Sequence, residues 1–154
     1  MTRIFAASTR SKADFQALRD LVGLNQVDVA DALGVSPITV RKWEDPKAFA
    51  MPKQAAWHFL EDVLDFIEHK SADLAGHAYK AAQRARDAGK EPEPVLLVYW
   101  RTREDWDNSP IGQSNEIPVI GNYWKVENAI TRTTALRLAK DATPFSVVYA
   151  QPRP

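Results

Sequence analysis

Cysteine is absent from this 154-residue chain, and histidine occurs only three times. The first absence excludes a disulfide framework and a thiolate metal site. The six glycines form no phosphate-cradling loop, and no nucleophile motif is present. The residues therefore predict a protein that is not an enzyme and needs no cofactor. Net charge is missing too, since 20 basic side chains are matched by 20 acidic ones. Residues 10–53 are almost as balanced, with basic side chains at 10, 12, 19, 41, 42, 47 and 53 against acidic ones at 14, 20, 28, 31, 44 and 45. A protein that held nucleic acid by bulk charge would be basic, because phosphate neutralisation supplies most non-specific affinity. No apolar run is long enough to span a bilayer, and Ile4-Phe5-Ala6-Ala7 is too short for the core of a signal peptide. The expectation is a soluble cytoplasmic protein.

What is present is concentrated in Leu18–Pro52. Asn25 is a good helix N-cap, with Asp28 three residues on. Val27, Ala30 and Leu33 recur at helical spacing, and Gly34 supplies a stop. Ser36-Pro37 then gives a second cap with proline at the first helical position. Two helices joined by a short glycine-containing turn form the geometry that reads DNA. Ser11 and Asp14 resemble a capping box for a preceding helix, with Phe15, Leu18, Leu21 and Val22 on one face.

These residues resemble the Cro/CI-type (XRE-like) repressors. The matching positions are Leu18-Arg19, Gly23-Leu24-Asn25-Gln26, Ala30, Leu33-Gly34-Val35-Ser36, Thr39-Val40 and Trp43-Glu44, and the likeness covers about the first 65 residues. It implies an all-helical, lambda-repressor-like head whose second reading helix enters the major groove of double-stranded DNA. The DNA-binding residues it implies are Gln26, Ser36, Pro37, Ile38, Thr39, Arg41, Lys42 and Lys47. Arg41 and Lys42 suit guanine O6 and N7, Ile38 a thymine methyl, and Gln26 a phosphate. Arg19 and Glu44 are implied as a buried ion pair that ties the first helix to the recognition helix. Val35 and Val40 are expected in the core. Where the family often has Asn-Gly after the glutamate, this chain has Asp45-Pro46, which removes an N–H and adds a negative charge; Lys47 is the substitute phosphate contact.

Beyond the head, Pro52 opens a helix carrying Trp57, Leu60, Val63, Leu64 and Ile67, and an alanine-rich helical run covers 72–88. Glu91-Pro92-Glu93-Pro94 reads as a stiff linker. Val95–Trp100 reads as a strand buried on both faces, 101–115 as a polar loop, 117–120 as a short edge strand, and Phe145–Tyr149 as a final strand. Between them Asn122 caps a helix to about Lys140, with Val126, Ala129, Ile130, Thr133 and Leu136 inward. The organisation is thus a head over 1–70, a connecting helix over 71–90 and a small β-α-β unit over 91–154, an α+β chain. So small a sheet cannot bury both faces alone, which points to homodimerisation through 91–150 or packing on the first half. A helix-turn-helix head with such a tail also resembles anti-CRISPR-associated autorepressors of phages. That likeness implies a homodimer on an inverted repeat in its own promoter and, for some members, RNA binding.

Three other readings are open. His58, Glu61, Asp65 and His69 share one helical face at metal-ligand spacing, with His77 two turns on, but without H-E-x-x-H they equally make the solvated side of an amphipathic helix. An antitoxin would share the DNA chemistry and use its tail to grip a protein partner. Trp100, Arg101, Arg103 and Trp106 interleave rings and cations as RNA binders do, although Glu104, Asp105 and Asp107 cancel the charge and both tryptophans fit a core equally well.

Overall fold

Residues 10–113 and 123–150 are described by the computed structural model. Three short helices come first: α1 (Lys12–Leu21), α2 (Gln26–Leu33) and α3 (Pro37–Glu44). Each start is set by its cap. Ser11 and Asp14 form a reciprocal capping box on α1, Asn25 and Asp28 do so on α2, and the Ser36 hydroxyl accepts the Thr39 N–H of α3 at 3.2 Å. Gly34 ends α2 at φ +66°, a left-handed conformation that costs a glycine little, and the Val35 N–H returns to the Ala30 carbonyl.

Helix α4 (Gln54–Asp87) is the spine, 34 residues without a break. It begins two residues after Pro52, and it passes straight through position 70, so the helix expected over 72–88 is the second half of the same one. Ala56, Leu60, Val63, Ile67, Ser71 and Ala75 make one buried stripe at intervals of three and four, Ala82 follows seven residues on, and nothing in the sequence between them breaks the helix. Strand β1 (Val95–Tyr99), the short helices α5 (Arg103–Asp107) and α6 (Pro110–Gln113), helix α7 (Tyr123–Lys140) and strand β2 (Phe145–Tyr149) follow. The strands pair in parallel, Val95 opposite Phe145 and Tyr99 opposite Tyr149. The chain is α+β.

One hydrophobic cluster joins both halves. Phe15 sits edge-on to Trp43 and Trp57, with centroids 5.8 and 5.3 Å apart, contacts worth about 0.5–1.5 kcal/mol each beyond burial. The same cluster continues through Leu60, Val63 and Ile67 to Trp100, Trp106, Val126, Ala129 and Ile130. A smaller one gathers Ala75, Leu97 and Leu138.

Several expectations are corrected here. Val27, at helical spacing in α2, is exposed, and Asp28 is buried in its place. Leu21 on α1 is likewise exposed. Leu96 and Val98 are exposed, so β1 is not buried on both faces: the side of the sheet that carries Val95, Leu97 and Phe145 packs on Leu138 and Ala75, and no element covers the other among the described residues. The polar loop holds α5 and α6, because Thr102 caps a turn and Ser109-Pro110 starts another, with Trp106 buried between them. On α7, Leu136 is exposed and the buried stripe is Val126, Ile130, Thr134 and Leu138. The strand expected over 117–120 and the cap at Asn122 lie outside the described residues.

Candidate nucleic-acid interface

Helix α3 has two unlike sides. Val40 and Trp43 are buried against the head, while Ser36, Pro37, Ile38, Arg41 and Lys42 are exposed. Ile38 is 54% exposed, a large apolar side chain on an otherwise polar ridge. Among the described residues no carboxylate pairs with Arg41, Lys42 or Lys47, so their charge is available. Thr39 is half-buried, with its hydroxyl 3.0 Å from that of Ser36. Those two hydroxyls therefore serve the helix start as well as any outside partner. Val35 is half-buried against the core.

The ridge is braced from beneath. Arg19 Nε and Nη2 donate to the two Glu44 oxygens at 2.6 and 2.7 Å, and Nη1 donates to the Leu24 carbonyl at 3.0 Å. Both side chains are about nine-tenths buried or more, at 10% and 5% exposure. The hydrogen bonds that Arg19 donates to Glu44 hold its guanidinium above its ordinary pKa, against the opposing effect of burial. Gln26 Nε2 also donates to Glu44 Oε1, at 3.1 Å. The side chain matched to a phosphate contact is thus held beside the ion pair, at the first turn of α2, where the Asp28 N–H is taken by the Asn25 cap and the first N–H groups have no carbonyl partner within the helix.

Two features of this surface had no signal in the motif. Lys12 Nζ donates to the carbonyls of Lys42 and Ala50, stapling α1 to the end of α3 and to the loop after it. In that loop Asp45 Oδ1 accepts the Lys47 N–H at 2.9 Å, so the carboxylate organises the turn and leaves the Lys47 side chain exposed. Phe49, two residues later, is fully exposed beside the same ridge; the apolar run Ala48–Met51 in a loop was the available clue.

The other readings of the sequence meet clear geometry. Glu61 is buried and paired with Arg10, whose guanidinium lies over Trp57, while His58 and His69 are exposed and His69 Nδ1 lies 3.0 Å from its own helix's Asp65 carbonyl. Among the described residues no group of three or more His, Cys, Asp or Glu is placed to hold a metal ion. Trp100 and Trp106 are buried edge-to-face at 5.0 Å, so neither presents a face for a base, and Arg103 reaches Asp107 at 3.5 Å. No helix among the described residues is long and apolar enough to cross a membrane. Neither a family model nor a curated protein matches this chain.

Proposed function

We propose that this chain is a sequence-specific DNA-binding repressor that acts in the cytoplasm as a homodimer on an inverted repeat, with its own promoter as target. The carrying observation is α3: a short helix behind a glycine turn, buried on one side, with Ile38, Arg41 and Lys42 unpaired by any described carboxylate on the other. In this reading α2 and α3 are the helix-turn-helix of a lambda-repressor-like head, α3 enters the major groove, and Gln26 and Lys47 flank it at phosphates. The head carries as many negative as positive charges to within one, so affinity comes from placed contacts and from doubling them.

The second copy is supported by β2. Ser146, Val147, Val148 and Tyr149 are all exposed, and the strand FSVVY carries neither a charged side chain nor a proline to blunt a free edge. Pairing β2 with its symmetry mate extends the two-stranded sheet to four strands and gives the β-α-β unit its role as dimerisation domain. Anisotropy titration against the DNA upstream of the gene, at about 0.15 M salt with scrambled competitor, tests the reading. Competitor-resistant binding by a dimer is expected. Equal affinity for scrambled DNA would falsify it, and a co-purifying protein on β2 would move the tail to the antitoxin reading.

A further inference from the structure

A cleft of about 440 Å³ opens where the two halves of the chain meet. Gly23 of the α1–α2 turn forms one wall, and Tyr99, Arg101, Trp124, Arg132 and Tyr149 form the others. The lining also includes Lys125, and it contains three cations with no carboxylate. Lys125 is engaged, since its Nζ lies 2.6 Å from Asp28 Oδ2. The two arginines are held differently. The Arg101 guanidinium lies 5.3 Å from the Tyr149 ring centre and that of Arg132 6.0 Å from the Tyr99 ring, with Arg132 Nη1 donating to the Tyr99 hydroxyl at 2.8 Å. Rings and a hydroxyl orient a guanidinium without cancelling its charge. Gly23, whose φ of +78° favours glycine, lies against this arrangement: a Cβ there would stand 2.7 Å from Arg132 Nη2, the far end of a flexible side chain.

We propose that this cleft binds a small anion that carries a planar aromatic ring, either a nucleoside monophosphate or an aromatic carboxylate. Two oriented guanidiniums match the paired oxygens of either anionic group, and the aromatic side chains, although each carries a cation near its ring, supply apolar wall for the attached ring. The volume falls in the range of about 300–1,000 Å³ typical of small-ligand sites. The cleft also touches the start of α2, because the Asp28 oxygen held by Lys125 is the one that accepts the Asn25 N–H in the α2 cap. An anion beside Lys125 competes with Asp28 and loosens the hold of α7 on the first reading helix. This consequence for DNA rests on the repressor reading; the ligand site does not.

The test is a titration of intrinsic tryptophan fluorescence without DNA, since Trp100 and Trp124 line the cleft. AMP and salicylate are titrated separately, to distinguish the two sources of the same chemistry. A saturable change with one of them is expected, about tenfold weaker in Arg132→Gln and in Arg101→Gln, as loss of a charge-assisted contact implies. Both arginines are exposed, so the thermal midpoints should stay unchanged. The proposal is overturned by the absence of saturation with either compound, or by equal affinity in both variants. It is also overturned if oligodeoxyadenylate displaces the probe at far lower concentration, which would make the cleft a single-strand site. Repeating the DNA titration with saturating ligand should lower affinity several-fold. If the protein ignores operator DNA even without ligand, the repressor reading fails while the fluorescence result still stands.

Discussion

At the scale of single residues, the Arg19–Glu44 pair is the point on which the proposed DNA-reading surface depends. Removing one partner leaves the other's charge enclosed without its two-pronged counter-ion, since the remaining carboxylate near Arg19, Asp20 at 3.4 Å, is mostly exposed, and Gln26 loses its acceptor if the partner removed is Glu44. Arg19→Ala is therefore expected to cost about 3–5 kcal/mol in thermal or urea unfolding. An unchanged melting temperature would show that the pair is not structural. Because the folded guanidinium is held above the ordinary arginine value, its contribution is complete below that value and is lost only as pH rises through the folded one. Unfolding followed from neutral pH to about pH 10 should show no loss attributable to Arg19. Lys42→Ala is the opposite case: the side chain is exposed, so stability stays within about 0.5 kcal/mol while operator affinity falls by about 1–3 kcal/mol. Loss of both together would mean that Lys42 supports the fold. The partners Arg19 and Glu44 were legible through the repressor motif. The partner of Gln26 was not, because the direction of an amide side chain depends on which nearby oxygen has a free lone pair.

At the scale of elements, the helices of the head were legible to within a residue or two, since caps, a glycine stop and an N1 proline are local signals that act over one turn. The later elements depend on distant partners and were read less well. An uninterrupted apolar run such as Val95–Tyr99 suggests a strand covered on two sides, and here helices cover one. Thr134 was passed over on α7 because the inward stripe was read through Thr133 and Leu136, whereas burial follows the spacing of four from Val126 through Ile130 and Thr134 to Leu138. Its hydroxyl donates to the Ile130 carbonyl of its own helix at 2.7 Å, which makes full burial tolerable. The end of α7 carries a cost that composition does not reveal: Ala142 takes φ +52°, a conformation that favours glycine. Ala142→Gly is expected to raise stability by about 1 kcal/mol, read as a shift of the urea midpoint with unchanged slope. A fall in the midpoint would show that the alanine methyl matters more than the backbone.

At the scale of the whole molecule, the open edge of β2 makes a separable prediction. Val148 is exposed in the single chain, so Val148→Lys should leave its helical content intact. Sedimentation should show a monomer, and operator affinity should drop about a hundredfold as the two heads lose their link. A variant that still sediments as a dimer would place the contact elsewhere. The continuity of the large core was the least legible property, because Glu91-Pro92-Glu93-Pro94 reads as a stiff linker between two units, packing on the first half was one of two open alternatives, and only three-dimensional packing reveals that Trp100, Trp106 and Ile130 sit in one cluster with Phe15 and Ile67. That continuity bears on how such a chain can be rebuilt. Regulators assembled from independent modules can trade a reading head for another by cutting at the linker. Here a graft at position 70 would divide a helix and strip Val63 and Ile67 of the side chains they pack against, so on the proposed DNA-binding reading an exchange of specificity has to be made by changing the surface of α3 within the intact chain.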